Sequence, residues 1–219
     1  FNNPGNIPDD TKINDISMRS LLSNNQERYS FNTHITHEFN EKGSSISLTA
    51  MYDSNKGKND NFTISSTTYY LLDNSLGNDS VLYRNQYHSS PDRMRNSHIG
   101  LMLSHPFTKE LRMQFSYNLL YNKQQNNRNT YDLSQFMEEA AEQLGYLPPE
   151  YEEGYTDSLS NRSHSRTLGH DLAVRMNYSS KIWDISAGIS IQPEQRSIDQ
   201  KTGLLQADTT MRTLGFQPS

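Results

Sequence analysis

Apolar and polar residues alternate one by one along six segments of this chain. The clearest is ERYSFNTHITHEFN at 27–40, where one side carries Tyr29, Phe31, Thr33, Ile35, His37 and Phe39. A period of two residues indicates a β-strand with one apolar and one polar face. Alternation resumes at 44–53 after a short turn at 41–43 that contains a glycine. The segment 27–53 is therefore predicted to form an antiparallel hairpin.

The same hairpin pattern recurs at about 97–122 and 166–192. The second hairpin alternates through Ile99, Leu101 and Leu103 and returns through Met113, Phe115, Tyr117, Leu119 and Tyr121. The third alternates through Leu172, Val174, Met176 and Tyr178 and returns through Trp183, Ile185, Ala187, Ile189 and Ile191. Two weaker alternating segments, 13–22 and 205–216, are candidates for further strands.

Two long polar segments, about 54–96 and 122–166, separate the hairpins and are predicted to be loops. Loops of this length count against a compact soluble domain. Tight turns at one end of the strands and long loops at the other are typical of bacterial outer-membrane β-barrels. The predicted fold over 1–219 is therefore all-β. It is an antiparallel transmembrane β-barrel segment with long extracellular loops, short periplasmic turns and one short loop helix.

The spacing of aromatic residues agrees with a membrane-spanning strand. Tyr29 and Phe39 are ten positions apart, or about 33 Å along a strand, which projects to roughly 25 Å at a tilt of about 40°. Aromatic side chains occur at both levels, where a bilayer has its interfaces: Tyr29, Tyr52 and Tyr121 at one, and Phe39, Phe107, Tyr178 and Trp183 at the other. A soluble β-sandwich is the alternative, but its strands average about 5–6 residues.

Composition narrows the classes of function. Only 32% of the 219 residues are hydrophobic, which is low for a soluble domain but suits a wide barrel with a polar interior. The absence of cysteine excludes disulfides, thiol catalysis and cysteine-based zinc sites. A net charge of −5 gives no reason to expect nucleic acid as a partner. The segment FNNPGNIPDD has neither the basic region nor the apolar stretch of a signal peptide, so none is expected there, and no apolar run is long enough for a membrane helix.

The segments YSFNTHITHEF and SSISLTAMYDSN, with the hairpin pattern from 15 to 216, resemble the outer-membrane β-barrel family of Bacteroidetes, relatives of TonB-dependent receptors. The resemblance implies a plug and further strands, but neither a plug nor a TonB box is visible here. The chain ends in FQPS instead of a terminal aromatic residue. We therefore expect an internal segment of a barrel, with an autonomous eight-stranded barrel as the alternative.

The expected function is transport or reception in the outer membrane of a Gram-negative bacterium, with an unknown substrate. Lipid is the expected partner, together with a TonB system or other surface proteins, and the polar strand faces would line the lumen: Asn32, His34, Thr36, Arg112, Gln114, Asn118, Arg175 and Asn177. An accessory barrel subunit that docks a partner protein is the second hypothesis. The third, an outer-membrane enzyme, has no support, since no catalytic, cofactor-binding or metal-binding motif occurs.

The second long loop contains a predicted helix. Asp132 can cap it with Gln135 three residues later, and Gly145 with the following prolines ends it. Its apolar stripe comprises Leu133, Phe136, Met137, Ala140 and Leu144. Of these, Phe136, Met137 and Leu144 are candidate contacts for a partner or ligand, unless the stripe packs on the barrel rim or on a neighbouring loop.

Tyrosines are the other candidate contacts in the loops, because they can stack on a sugar or a peptide. They are Tyr69, Tyr70, Tyr83, Tyr87, Tyr131, Tyr146, Tyr151 and Tyr155, with Tyr69, Tyr70 and Tyr151 favoured. Ser80 and Ser158 lie in Asp-Ser-apolar segments that resemble the O-glycosylation sequon of the same phylum, as does the segment at 208–210. The acidic group at 150–157 could hold calcium, but a solvated charge cluster is favoured.

Overall fold

The structure, a computed structural model, describes residues 14–70, 80–136 and 143–218. Within these ranges the chain is all-β, and its strands form a single antiparallel sheet in which sequence neighbours pair, in the order β1 to β7. The strands are β1 (Asn14–Glu38), β2 (Ser45–Tyr69), β3 (Ser80–Pro106), β4 (Leu111–Asp132), β5 (Asn161–Ser179), β6 (Asp184–Thr202) and β7 (Leu205–Pro218). Over the described ranges β1 and β7 are the two edges, and the sheet is not closed.

Helical structure among the described residues is limited to single turns. The described residues include 3₁₀ helices at Ser134–Phe136, Tyr151–Gly154 and Asp157–Leu159. No helix among the described residues is long and apolar enough to cross a membrane.

The three predicted hairpins are present as β1–β2, β3–β4 and β5–β6. The first turn is closed by a hydrogen bond from Phe39 N to Ser44 O of 2.8 Å, and Gly43 has the positive φ of 83° that such a turn requires. The weaker segment 205–216 is β7. The segment 13–22 is not a separate strand. From residue 14 onward it is the first part of β1, so the described chain has seven strands and not eight.

Most of the first segment predicted to be a loop, 54–96, is strand, and so are the two ends of the second, at 122–132 and 161–166; the loop interpretation is wrong for those parts. The strand β2 continues to Tyr69, β3 begins at Ser80 and β4 continues to Asp132. Apolar alternation fades in these parts, but backbone pairing with a neighbouring strand satisfies their N–H and C=O groups regardless of side chain. The strands of 22–27 residues are therefore about twice the 9–11 residues that a membrane crossing needs.

The strand β6 pairs with β5 and with β7 in a regular antiparallel register. Leu172 faces Ile191 and Val174 faces Ile189, and the register is the same from Asn161↔Thr202 to Ser179↔Asp184. A two-residue turn joins β6 to β7, with Thr202 facing Leu205 and Gly203 at φ 55°. This turn follows the end of β6, whereas the turn at 180–183 precedes its start, so short turns are not confined to one end of the strands.

The chain divides into two compact units. The aromatic unit comprises Phe1–Asn25, Lys58–Ser90 and Arg128–Ser160, and the hairpin unit comprises Gln26–Gly57, Pro91–Asn127 and Asn161–Ser219. In the described parts of the aromatic unit Ile64, Tyr87 and Leu133 form a small buried core. In the described parts of the hairpin unit the buried residues other than glycine are all serines: Ser44, Ser47 and Ser104.

Candidate functional site

One face of the sheet in the hairpin unit carries large apolar side chains that are exposed. Phe31 and Ile35 are both 59% exposed, and Ile189 is 45% exposed. Further members are Ile46, Leu48, Ile99, Leu101, Leu103, Phe115, Leu172, Met176, Ile185 and Ile191. A shallow depression of about 400 Å³ on this face is lined by residues of five strands, including Ile46, Leu101, Phe115, Leu172 and Ile189. We call this surface the apolar face.

The opposite surface of the hairpin unit is polar and is connected by hydrogen bonds. His34 Nδ1 lies 2.9 Å from Thr49 Oγ1, and the hydroxyls of Thr36 and Ser47 are also 2.9 Å apart. Farther along the sheet, Asn177 donates a 3.3 Å hydrogen bond to Gln114 and accepts one of 2.9 Å from Ser186. His98 Nε2 lies 3.0 Å from Asn118 Oδ1. Five of the residues predicted to share a polar face thus form short hydrogen-bonded groups between adjacent strands: His34, Thr36, Gln114, Asn118 and Asn177.

The turns of the three hairpins, at 41–43, 106–109 and 179–180, lie at the same end of the strands, which we call the turn edge. Ser44 Oγ is 2.9 Å from His105 Nδ1, which joins the first turn to the second. Ser179 N donates a 2.8 Å hydrogen bond to Glu110 O, and Tyr178 Oη donates one of 3.1 Å to the Glu110 carboxylate, which join the second to the third. Phe39, Phe107 and Trp183 at this edge are 55–65% exposed.

Histidine and phenylalanine repeat one arrangement at the first two of these turns. The rings of His37 and Phe39 meet edge to face at 5.2 Å between centroids, and those of His105 and Phe107 do so at 5.0 Å. Both histidines follow the alternation of the apolar face. Each imidazole therefore lies at the border of that face, beside an aromatic ring, and not at its centre.

The aromatic unit contains a cluster of five rings centred on Tyr87, which is 3% exposed. Tyr87 stacks on Phe62 at 4.7 Å and on Tyr131 at 5.6 Å, with interplanar angles of 25° and 23°. Tyr151 meets the rings of Tyr87 and Tyr131 edge to face at 5.7 and 5.0 Å, and Tyr155 meets Tyr131 at 5.8 Å. We call these residues the ring cluster. Offset stacked and edge-to-face pairs each add to the stability gained from burial alone.

A charged pair is attached to the ring cluster through the hydroxyl of Tyr87. This hydroxyl donates a 2.7 Å hydrogen bond to Asp60 Oδ1, and Lys58 Nζ lies 2.9 Å from Asp60 Oδ2. Burial opposes ionisation of Asp60, but the hydrogen bonds from Lys58, Tyr87 and Ser89 outweigh it, so its pKa is below the usual value. Burial raises the pKa of Tyr87. The pair is therefore ionised and the phenol neutral at neutral pH.

The predicted tyrosine contacts fall into two groups. Tyr151 belongs to the ring cluster together with Tyr87, Tyr131 and Tyr155, whereas Tyr69 and Tyr70 lie at the end of β2 and outside it. Sequence reasoning missed Phe62, Lys58 and Asp60, because they were assigned to a loop. Their signal was the alternation of Asp60, Phe62 and Ile64, which continues the period of β2.

Of the predicted loop helix, the structure describes the start and residues 143–144, and of these the start is helical. Asp132 Oδ1 accepts a 2.9 Å hydrogen bond from Ser134 N, as a cap does, and Ser134–Phe136 form one 3₁₀ turn. Leu133 is 1% exposed, so the first residue of the stripe packs inside the aromatic unit and does not face a partner. Phe136 and Leu144 are half-buried, while Met137 and Ala140 lie outside the described residues.

The candidate modification and ion sites are placed as follows. Ser80 and Ser158 are both exposed, although Asp79, the first residue of one segment, lies outside the described residues. Ser158 is part of the 3₁₀ turn Asp157–Leu159. Over the described ranges no three His, Asp or Glu side chains are grouped closely enough to hold a metal ion.

Comparison with known proteins gives no family for this chain. No protein-family model matches the sequence, and no curated protein matches it.

Proposed function

We propose that the hairpin unit is part of an outer-membrane β-barrel and that its apolar face contacts lipid. The observation that carries this proposal is the reversed distribution of side chains. In the described part of the hairpin unit the buried residues other than glycine are serines, and the large apolar residues are exposed. Exposing so much contiguous apolar surface to water would be costly, at roughly 25 cal/mol for each Å². Contact with hydrocarbon removes that cost, and it also explains why the polar groups pair with one another.

Exposed aromatic side chains at the turn edge support the same proposal. Phe39, Phe107 and Trp183 lie where the apolar face ends, and amphipathic rings favour the boundary between hydrocarbon and headgroups. The edges of β1 and β7 would pair with further strands when the barrel closes, since an open edge does not persist in a bilayer.

The function proposed for this barrel is transport or reception, of the kind carried out by TonB-dependent receptors, without enzymatic activity. Its support is the resemblance of the hairpin segments to that group and the polar face, which would line the lumen. Substrate movement would depend on a plug and on energy coupling supplied outside the described residues.

A spin-label experiment tests the membrane assignment directly. The chain has no cysteine, so single cysteines at Leu101 and Met102 can be labelled with a nitroxide without background. The two positions are adjacent on β3 and point to opposite faces. In bilayers we expect the label at Leu101→Cys to collide mainly with oxygen, and the label at Met102→Cys mainly with a water-soluble nickel chelate. Equal accessibility of both labels to the nickel chelate would refute the proposal.

A further inference from the structure

A basic cavity lies on the hairpin unit, in addition to the surfaces described above. It has a volume of about 440 Å³, and four strands contribute to it. Its charged and ionisable lining comprises Lys123 from β4, His164 and Arg166 from β5, and Asp199 from β6. Gln195, Ser197 and Thr210 add neutral polar groups.

Strand alternation places this cavity on the same side of the sheet as the apolar face. On β5, Arg166 has the parity of Leu172, and on β6, Gln195 has the parity of Ile191. The pairing of β5 with β6 keeps one register across both levels, so no bulge reverses the faces between them. The cavity therefore continues the apolar face along the strands, away from the turn at 180–183.

The cavity begins beside Tyr121, at the end of the apolar face that lies away from the three hairpin turns. The Arg166 guanidinium carbon lies 5.4 Å from the centroid of the Tyr121 ring, a cation–π distance. Tyr178 and Arg166 are twelve positions apart on β5, which is about 40 Å along the strand and roughly 30 Å across a bilayer at a tilt of about 40°. That distance places Arg166 at the depth of the lipid headgroups when Tyr178 is at the opposite interface.

Cations outnumber carboxylates around this cavity. The same side of β4 to β7 carries Lys123, Arg162, Arg166, Lys201 and Arg212, against Asp199 and Asp208. In the described part of the chain, no carboxylate lies within 4 Å of a terminal nitrogen of Lys123, Arg166 or Arg212. The three cations are therefore available to an external anion, which they would hold more strongly beside hydrocarbon than in open water.

We propose that this cavity binds the phosphate of an anionic lipid headgroup, with Arg166 and Lys123 as the main ligands. The inference rests on the proposed function, because the cavity must lie at the lipid boundary. A lipid is favoured over free phosphate because the lining is continuous with the apolar face, on which the acyl chains would lie. Arginine provides paired donors for phosphate oxygens, and lysine provides a point charge.

The test uses the full chain in a non-ionic detergent and three probes: phosphatidic acid, diacylglycerol and inorganic phosphate. Calorimetry should show that phosphatidic acid binds much more tightly than either of the other two. Each surface cation is worth roughly a fivefold change in affinity for an anionic lipid. The double variant Lys123→Gln/Arg166→Gln should therefore weaken phosphatidic acid binding by about 25-fold.

The matched control is Arg112→Gln/Arg175→Gln, which removes two cations from the polar face of β4 and β5 and should leave the affinity unchanged. Asp199→Asn should tighten binding, because it removes a carboxylate from the lining, and a gain of affinity cannot result from misfolding. Equal binding of diacylglycerol, equal binding of inorganic phosphate, or equal losses in both double variants would each overturn the assignment.

The outcomes also separate this proposal from the membrane assignment. If the label at position 101 is in lipid but phosphatidic acid has no advantage over diacylglycerol, only the phosphate site is wrong. If that label is in water, the membrane assignment is wrong whatever phosphatidic acid does.

Discussion

The two units of the chain place their apolar side chains in opposite ways. In the aromatic unit, Tyr87 and Leu133 are 3% and 1% exposed, and Tyr87 packs among other aromatic rings. In the hairpin unit, Leu101 and Phe115 are 43% and 42% exposed, while Ser47 and Ser104 are buried. One sheet topology thus serves two arrangements: the aromatic unit buries large apolar side chains, and the hairpin unit exposes them.

This difference shows what strand alternation does and does not specify. Alternation sets which side chains share a face, but the medium on each side decides whether the apolar face is stable when exposed. In the aromatic unit a second layer, the segment 143–160 with Tyr151 and Tyr155, covers part of the sheet. We therefore expect that a substitution in one unit leaves the other unit folded.

The largest effect is expected from removing the central ring of the ring cluster. Tyr87→Ala deletes a buried aromatic side chain that contacts Phe62, Tyr131 and Tyr151. Such a deletion costs about 3–5 kcal/mol. Hydrogen–deuterium exchange should show that the segments 58–70 and 143–160 lose protection, while 97–122 and 166–191 keep it.

Tyr155→Ala is the control for that deletion, because Tyr155 lies at the margin of the ring cluster and is 47% exposed. It should cost clearly less than Tyr87→Ala. Equal loss of protection in both units on replacing Tyr87 would break the comparison, since the two units would then share one core.

The second effect concerns the apolar face. Leu101→Arg places a charge where hydrocarbon is proposed, which costs about 2–4 kcal/mol at the middle of a bilayer. Met102→Arg is the matched control on the next residue, where the side chain points to the polar face. Denaturant titration of the folded chain in lipid bilayers should show the full loss for Leu101→Arg and little change for Met102→Arg.

A soluble sheet predicts a different result for the same pair. An exposed leucine on a water-facing surface can be replaced by arginine with a change of about 0.5 kcal/mol or less. Nearly equal stabilities of the two variants would therefore contradict the lipid assignment and leave the exposed apolar face unexplained.

The predictability of the fold follows the strength of alternation. The three hairpins were predictable because residues such as Phe31, Ile35 and Ile189 repeat with period two and short turns separate them. The parts of β2, β3 and β4 at 54–69, 80–96 and 122–132 were missed because Asn, Ser and Thr dominate there. Residue type alone does not separate a polar strand from a loop. Their pairing depends on neighbouring strands that a single sequence does not reveal.

The ring cluster was only partly predictable for a related reason. Tyrosines in the two long polar segments were recognised as candidate contacts, and Tyr151 is one of the five rings of the cluster. Their grouping around Tyr87 requires the pairing of strands far apart in sequence, and Phe62 was hidden in a segment assigned to a loop. The basic cavity likewise combines Lys123, Arg166 and Asp199, which are separated by at least 33 positions and have no common motif.

The smallest effect is a pH dependence of the aromatic unit. His88 Nδ1 lies 3.0 Å from Thr130 Oγ1, and burial, with the nearby charge of Arg128, lowers the pKa of His88. A histidine with a lowered pKa binds fewer protons when folded than when unfolded, so stability falls as pH drops below its unfolded pKa of about 6.5. Exchange protection of 80–90 and 128–133 should therefore decrease between about pH 7.5 and pH 5.5.

His88→Gln should flatten that profile, because glutamine does not titrate, even if the variant is less stable at every pH. His34→Gln is the control in the hairpin unit, where His34 is exposed and hydrogen bonds to Thr49. It should leave the profile of the aromatic unit unchanged. Titration of Asp60 does not confuse the result, since its lowered pKa confines its effect to more acidic pH. A profile that persists in His88→Gln would show that another group controls the acid sensitivity of this unit.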